Sequence, residues 1–190
     1  MATTSEKQAF IDRVWQAIAG ENLGGLFPSI LIAQAALESG WGKSVLAYKY
    51  NNYFGIKAGS SWKGKSVNMS TQEVVNGQTV STTSNFRVYD SLIDSIRDRN
   101  KLLTANSRYA AALKAGSPEE QISAIKAAGY ATATNYVSSV LAIVEQYDLK
   151  KFDELKKKVM SNKTLSIMLV SVGVLVALVG GYNLYNLLKK

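Results

Sequence analysis

The chain has 190 residues, 47% of them hydrophobic, a formal net charge of +8, and neither cysteine nor histidine. The length suffices for one domain with its own core, and the lack of cysteine excludes disulfides and thiol catalysis. Because histidine is the usual general base and metal ligand, we expect no metal and no cofactor, and hydrolytic chemistry must use carboxylates, hydroxyls or lysines.

Helical patterns begin the chain. Apolar residues at helical spacing predict helices over residues 5–19 and 28–39, the second of which starts at Pro28, a natural first-turn residue. From residue 62 to 88 the chain is rich in Thr, Val, Ser and Gly. Within this stretch, Asn76-Gly77 between two β-forming runs predicts a hairpin.

Helical periodicity then returns. It predicts helices over residues 90–104, 118–128 and 133–147, each bounded by Gly, Ser or Pro. The sequence therefore predicts a mostly helical α+β domain over residues 1–148, with a small β lobe inserted after the second helix.

A basic segment and an apolar run complete the chain. Residues 149–163 read as a basic, partly helical linker, and residues 164–188 contain no charge. The run can cross a hydrocarbon core of about 30 Å as one helix at about 1.5 Å per residue. We expect a single-pass transmembrane helix in a lipid bilayer; the alternative is a buried core helix, for which the run is long.

The charges around this run predict its orientation. Four lysines between residues 156 and 163 precede it, whereas Lys189 and Lys190 follow it, and the N-terminus does not resemble a secretory signal. We therefore expect the domain to lie on the cytoplasmic or virion-interior side of the membrane. A stripe of small residues on the apolar run, Gly173, Ala177 and Gly181, could bring two copies together.

The positive charge does not indicate a nucleic-acid partner. Residues 1–154 hold 16 Lys and Arg against 14 Asp and Glu, and the remaining six lysines flank the apolar run. Clustered lysines beside a membrane segment suit anionic lipid headgroups rather than a phosphate backbone.

Glu38 is the first candidate for chemistry. It ends an otherwise apolar helical stretch and is followed by Ser39-Gly40-Trp41-Gly42. A carboxyl at the edge of an apolar helix and beside an indole is partly desolvated, which raises its pKa and suits a general acid. The alternative is a surface carboxylate that caps or pairs.

A series of motifs around Glu38 carries a family resemblance. In order they are Gln34-Ala-Ala-Leu-Glu-Ser-Gly-Trp-Gly42, Asn51-Asn-Tyr-Phe-Gly-Ile-Lys57, Thr71-Gln-Glu73, Asn85-Phe-Arg-Val-Tyr-Asp-Ser91 and Ala128-Gly-Tyr-Ala-Thr132 with Asn135-Tyr136. Over roughly residues 8–148 the chain resembles glycoside hydrolase family 73, the endo-β-N-acetylglucosaminidases. This resemblance implies a lysozyme-like, two-lobed fold and peptidoglycan glycan strands as the partner in the cleft.

The resemblance also implies roles for three residues. Glu38 matches the general acid, and Glu73 matches the second carboxylate, which activates water or stabilises an oxocarbenium-like centre. Tyr130 matches a cleft tyrosine that orients the 2-acetamido group or a water. The alternatives are an exposed hairpin carboxylate for Glu73 and a packing role for Tyr130. The family often carries Asp after Tyr-Ala-Thr, whereas this chain has Ala133.

Other residues of the motifs are expected to bind substrate. Asn51 and Asn52 carry amides that match sugar hydroxyls and acetamido groups. Phe54 belongs to the same motif and Tyr136 to the last one, and both are also expected to bind substrate. Trp62 is a candidate for stacking on a sugar, with a structural role as the alternative. Trp41 is expected to support Glu38 from the core.

The resemblance leaves three functions open. The leading hypothesis is a membrane-anchored hydrolase that cuts the β-1,4 bond after N-acetylglucosamine. A lytic transglycosylase or muramidase shares the fold, but Glu73 argues against the first of these. An inactive wall-binding or scaffold protein would not need Glu38. An anchored wall hydrolase without an export signal suits a bacteriophage, for entry or lysis, with the host inner membrane or a virion membrane as its location.

Overall fold

The computed structural model describes residues 2–75 and 78–161, and only the backbone of residues 71–75 and 78–80. Its elements in chain order are α1 (Thr4–Ile18), α2 (Pro28–Ser39), α3 (Val45–Tyr50), β1 (Ser66–Val75), β2 (Gln78–Arg87), α4 (Leu92–Ala105), a 3-10 turn (Ser107–Tyr109), α5 (Ala110–Leu113), α6 (Pro118–Ala127) and α7 (Tyr136–Gln146).

This architecture confirms the mostly helical α+β prediction and its small β lobe. Each of the five predicted helices is present, with ends displaced by up to three residues. The hairpin follows α3 rather than the second helix. The sequence did not predict α3 or α5, because helices of six and four residues are too short to show a repeating apolar face.

Helix α2 is the centre of the core. It packs against α1, α6 and α7, and its residues Pro28 to Ala36 are all buried. Its first turn is closed by a distant side chain. The Ser29 backbone N–H and hydroxyl donate to the two carboxylate oxygens of Asp153, at 2.8 and 2.7 Å. A carboxylate at a helix N-terminus satisfies free N–H groups and the positive end of the helix dipole.

Helix α2 ends abruptly after Glu38 and Ser39. Gly40, Trp41 and Gly42 adopt positive φ angles of 56°, 63° and 78° in succession. The N–H of Trp41 donates to the carbonyl of Ala36 at 2.8 Å, which closes the helix end. The turn therefore leaves Glu38 on the last turn of a rigid, buried helix.

The β lobe is one antiparallel hairpin. Strands β1 and β2 pair from Ser66 opposite Arg87 to Val75 opposite Gln78, so they end on either side of the predicted Asn-Gly turn. That register confirms the hairpin prediction, although the two turn residues lie outside the described part of the chain. Glu73 stands opposite Val80 in β1.

Residues at the start of the predicted linker contribute to the core of the first compact unit. The first compact unit is Met1–Asp153, and Glu154–Lys190 forms a second one. Leu149 and Phe152 are buried, and the ring of Phe152 lies 4.9 Å from that of Trp15. The first residues of the predicted linker thus contribute to the core, and residues 150–161 are helical. The division into domain, linker and apolar segment stays a prediction.

Among residues 2–75 and 78–161, no helix is both long enough and apolar enough to span a membrane. The predicted transmembrane segment, residues 164–188, and its stripe of Gly173, Ala177 and Gly181 lie outside the described residues.

Candidate active site

A cleft of about 860 Å³ separates the helical part of the domain from the base of the hairpin. Side chains from α2, α4, α7, β2 and two loops line it: Glu38, Phe54, Ile56, Lys57, Phe86, Arg87, Leu102, Tyr130, Thr132 and Tyr136. The cleft therefore brings together Glu38, Tyr130, Phe54 and Tyr136 of the residues that the sequence predicted.

Glu38 projects into this cleft from the last turn of α2. Its Oε1 accepts a hydrogen bond of 2.8 Å from the hydroxyl of Tyr136, the first residue of α7. The residue as a whole remains exposed along the cleft. One oxygen is thus held by the protein, while the carboxyl group stays accessible to a ligand.

A polar chain behind Glu38 runs through the core. The Tyr136 hydroxyl accepts a hydrogen bond of 2.7 Å from Nε2 of Gln34, and Oε1 of Gln34 accepts one from Nη2 of Arg99. Gln34 is fully buried, and Arg99 is 1% exposed. Four side chains from α2, α4 and α7 therefore connect a buried positive charge to the cleft carboxyl.

The surroundings of Glu38 raise its pKa above the ordinary value of 4.5. The largest cause is desolvation by the protein atoms on the helix side, which disfavours the charged form although the group is open to the cleft. The hydrogen bond from Tyr136 and the positive charge of Arg99 act in the opposite direction and lower the pKa. The sequence-based expectation of a raised pKa agrees with this environment, and a proton held toward neutral pH suits a general acid.

Tyr130 lies beside the same polar chain. It follows the positive-φ residue Gly129, lines the cleft, and its ring is 6.0 Å from that of Tyr136. Burial raises the pKa of its hydroxyl, so Tyr130 is neutral at physiological pH. That hydroxyl is buried and, among the described residues, has no partner in normal hydrogen-bond geometry. The nearby guanidinium of Arg99 interacts with this hydroxyl and partly offsets the rise in its pKa.

The structure uses the two asparagines differently from the sequence-based expectation. The amide of Asn52, which is 1% exposed, donates to the carbonyls of Ile56 and Arg87, both at 2.9 Å, and accepts from the N–H of Ile56. Asn51 has a φ of 52° and donates to the carbonyl of Tyr89. The Asn52 amide therefore joins the loop before the hairpin to Arg87, the last residue of β2, and the Asn51 amide joins this loop to Tyr89, just beyond β2. A substrate-binding role for the two residues stays a prediction.

Trp62 lies next to the cleft rather than in it. The guanidinium of Arg87 sits 4.4 Å from the centre of its ring, and its Nε1 donates to the carbonyl of Lys65. It lines a separate depression of about 320 Å³, which shares Arg87 and Leu102 with the cleft. Trp41, in contrast, packs on Phe10 and Tyr147 behind Glu38, as predicted.

Glu73 can be located only by its backbone, in the half of β1 nearest the hairpin turn. Its side chain lies outside what the structure describes. Its role as the second carboxylate therefore stays a prediction.

Comparison with known proteins identifies this arrangement. A family model described as mannosyl-glycoprotein endo-beta-N-acetylglucosaminidase, the glucosaminidase family, matches residues 15–149, which include every residue of the cleft. The chain belongs to the glucosaminidase family. Its glucosaminidase domain contains Glu38, the cleft and the polar chain behind it.

Two curated relatives share the glucosaminidase domain. The exo-glucosaminidase LytG of Bacillus subtilis is 39% identical over 163 residues, which are 82% of this chain and 57% of LytG. A probable N-acetylmuramidase of Lactococcus lactis is 39% identical over 162 residues, 80% of this chain and 36% of that protein. The chain thus spans about a third to just over a half of the length of these relatives.

A solved structure agrees with the fold. The catalytic domain of the autolysin Auto from Listeria monocytogenes superposes with a TM-score of 0.69 at 32% identity, over 80% of this chain and 90% of that one. This similarity supports the two-lobed, lysozyme-like arrangement of the glucosaminidase domain.

Sequence reasoning missed Gln34 and Arg99 as members of the glucosaminidase site. Gln34 falls within a quoted motif but sits in an apolar helix, where a buried amide needs partners. Arg99 lies between Ile96 and Leu103 on the buried face of α4. A charged residue at a core position of an amphipathic helix was the signal that could have identified it.

Proposed function

We propose that this protein hydrolyses the glycan strands of peptidoglycan, with Glu38 as the general acid. The observation that carries the proposal is the state of Glu38. It stands on a rigid helix at the edge of a cleft, its pKa is raised by desolvation, and the Tyr136 hydroxyl holds one of its oxygens. A positioned acid of this kind protonates the glycosidic oxygen as the bond breaks.

Glu73 is the proposed second carboxylate. It would activate the attacking water or stabilise positive charge on the sugar, as the two-carboxylate mechanism requires. Support comes from the Thr-Gln-Glu motif and from its position in β1, on the hairpin that forms the second lobe. The distance between the two carboxyl groups would decide whether the reaction retains or inverts the configuration at the sugar. The stereochemistry of the product therefore reports on this distance.

Tyr130 is the proposed contact for the 2-acetamido group or for the attacking water. Its neutral hydroxyl can both donate and accept a hydrogen bond, and although it interacts with Arg99, it has no partner in normal hydrogen-bond geometry among the described residues. Phe54 supplies an apolar wall to the same cleft. Sugar rings pack on such surfaces through their C–H faces, while polar groups set the orientation.

The proposed bond is the β-1,4 linkage that follows N-acetylglucosamine, in agreement with the description of the family. The runner-up is cleavage after N-acetylmuramic acid, and one relative is named a probable N-acetylmuramidase. A lytic transglycosylase is a third reading. Mass spectrometry of digested peptidoglycan separates them, because they yield reducing-end N-acetylglucosamine, reducing-end N-acetylmuramic acid and anhydro ends, respectively.

A non-catalytic wall-binding or scaffold role is the alternative from another class. In that role, the raised pKa of Glu38 and the buried polar side chains behind it would cost folding free energy without serving the function. Purified protein that binds peptidoglycan sacculi but releases no soluble fragments would establish that role instead.

The proposal extends to the membrane. Residues 164–188 would form a single transmembrane helix, and the domain would remain on the side of the four preceding lysines. Gly173, Ala177 and Gly181 would let two such helices approach. The proposed setting is a bacteriophage enzyme for entry or lysis, held at the host inner membrane or in a virion membrane. Protease accessibility of the domain in sealed spheroplasts tests the orientation.

A further inference from the structure

The direction of every hydrogen bond behind Glu38 is set by Arg99. A guanidinium has only donors, so the group of Gln34 that meets it must be the amide oxygen. The amide nitrogen of Gln34 is thereby turned toward Tyr136, and it donates to the hydroxyl at 2.7 Å. An amide that is free to flip would present either atom to Tyr136; here the buried charge leaves one choice.

The single proton of Tyr136 is also committed. Its hydroxyl accepts from Gln34 and therefore donates to Oε1 of Glu38, at 2.8 Å. A hydroxyl oxygen is a weaker hydrogen-bond acceptor than a carbonyl oxygen. A protonated Glu38 therefore keeps the full hydrogen bond from Tyr136 when its proton lies on Oε2, for which the described residues show no donor.

We propose that Arg99 and Gln34 are positioning residues that aim the Tyr136 hydroxyl at Oε1 of Glu38 and thereby place the acidic proton on Oε2. This inference rests on the proposed function for its catalytic meaning. Oε2 then becomes the atom that transfers the proton to the glycosidic oxygen. This relay, formed by Arg99, Gln34 and Tyr136, orients the hydrogen bonds and does not itself exchange protons with the substrate.

Packing alone does not explain why a charged residue, Arg99, occupies a buried position in α4. The residue is 1% exposed, and its Nε has no partner in normal geometry among the described residues. An apolar side chain at the same place on α4 would avoid the desolvation of a charge. It also donates from Nη1 to Asn100, lies 5.6 Å from the ring of Phe54 and interacts with the hydroxyl of Tyr130. The bond to Gln34 is the contact that continues through Tyr136 to the carboxyl of Glu38.

Other ionisable groups around Glu38 must be separated from the relay. Lys57 and Arg87 line the cleft from the hairpin side, and Tyr130 lines it from the loop after α6. Each acts on Glu38 through space and without Tyr136. A test of the relay therefore has to ask whether changes at Gln34 act through the Tyr136 hydroxyl.

A double-mutant cycle between Gln34→Glu and Tyr136→Phe asks this question. Gln34→Glu keeps the acceptor for Arg99 but replaces the donor, so the Tyr136 proton turns from Glu38 to the new carboxylate. The pKa of Glu38 is read from the carboxyl carbon by NMR titration, beside kcat and KM on peptidoglycan. We expect each single change to raise this pKa by about one pH unit and to lower kcat about tenfold at unchanged KM. The pKa of Glu38 and the kcat of the double variant should equal those of Tyr136→Phe alone.

Additive pKa shifts in the double variant would mean that the charge at position 34 acts directly, and would overturn the proposal; so would an unshifted pKa in Gln34→Glu. Gln146→Glu, which adds the same charge at an exposed position of α7, should leave the pKa and kcat unchanged. If Gln34→Glu does not fold, the same cycle with Arg99→Met, which removes the donors that fix the Gln34 amide, decides by the same criterion. The NMR readout stands even if the parent releases no wall fragments, so failure of the relay and failure of the proposed function are distinguishable.

Discussion

At the scale of single residues, the proposed function depends on a proton held by Glu38. Glu38→Gln keeps the size of the side chain and an acceptor for Tyr136, but it cannot donate the catalytic proton. We expect the rate of peptidoglycan hydrolysis to fall by about 10²–10⁴-fold, measured as release of soluble fragments. Glu145→Gln, at an exposed position of α7, is the matched control and should keep the parent rate. Activity of Glu38→Gln within tenfold of the parent would contradict the assignment.

The same substitution has an effect on stability whose sign follows from linkage. The folded-state pKa of Glu38 is raised, so the folded protein holds this proton more tightly than the unfolded chain. The resulting loss of folding free energy is absent below the unfolded-state pKa of about 4.5. It is fully present once the pH exceeds the pKa of Glu38 in the folded protein. Because the group is exposed, we expect the Tm of Glu38→Gln relative to the parent to rise by only about 1–2 °C between pH 4 and pH 7. A Tm difference that is constant or falls over this range would argue against a desolvated carboxyl.

Glu73 tests the second half of the mechanism. Glu73→Gln should lower the rate substantially but less than Glu38→Gln does, because water or the acetamido group of the substrate can partly replace this carboxylate. The ratio of kcat values in one assay, with both variants shown to be folded by circular dichroism, measures the difference. An unchanged rate would favour the transglycosylase reading, which needs no second carboxylate.

At the scale of elements, the turn after α2 determines where Glu38 stands. Gly40 and Gly42 both have positive φ, but they differ in the space around them. A Cβ on Gly40 would meet nothing within 4 Å, whereas a Cβ on Gly42 would lie 3.0 Å from a guanidinium nitrogen of Arg13 and 3.1 Å from the ring of Phe10.

These surroundings predict different costs for the same change. Gly40→Ala should lower the free energy of unfolding by about 1 kcal/mol, through backbone strain alone. Gly42→Ala adds a clash and should cost about 2–3 kcal/mol. Urea denaturation of the two variants measures the difference. Equal costs would show that the close approach of α1 to this turn does not constrain it.

The elements also show what the sequence could predict. Long helices and the hairpin were found because apolar spacing and an Asn-Gly pair are local signals. The position of Glu38 in the cleft followed from its motif. The polar chain was not found, because Gln34, Arg99 and Tyr136 come together from three helices, and no spacing along the chain records that meeting. For the same reason the sequence predicts a sugar as the partner of the Asn52 amide, whereas the structure shows it bonded to the backbone of Ile56 and of Arg87.

At the scale of the whole molecule, the catalytic unit and the apolar run are separable. A chain ending at residue 161 retains all of Met1–Asp153 and should be soluble, folded and active on isolated sacculi. The full chain should require detergent or lipid, because a run of 25 residues without a charge would expose a large apolar surface to water if it spans a bilayer as proposed. Ultracentrifugation with and without detergent measures this. A full chain that is monomeric without detergent would refute the anchor.

A chain ending at residue 148 is the informative contrast to the one ending at 161. It lacks Leu149 and Phe152 from the core and Asp153 from the start of α2. The fold of this shorter chain should therefore be markedly less stable, which thermal unfolding of the two truncated chains would show.

The bond between Ser29 and Asp153 joins residues 124 positions apart. During synthesis, at about 5–20 residues per second, the ribosome reaches Asp153 about 6–25 s after Ser29. Throughout that interval the helix that carries Glu38 has no cap for its first turn, and the core around it lacks its last members. A nascent chain should therefore hold the candidate site only weakly until residues up to Asp153 have been made. If the proposed function is correct, the order of translation delays full wall-degrading activity until that point.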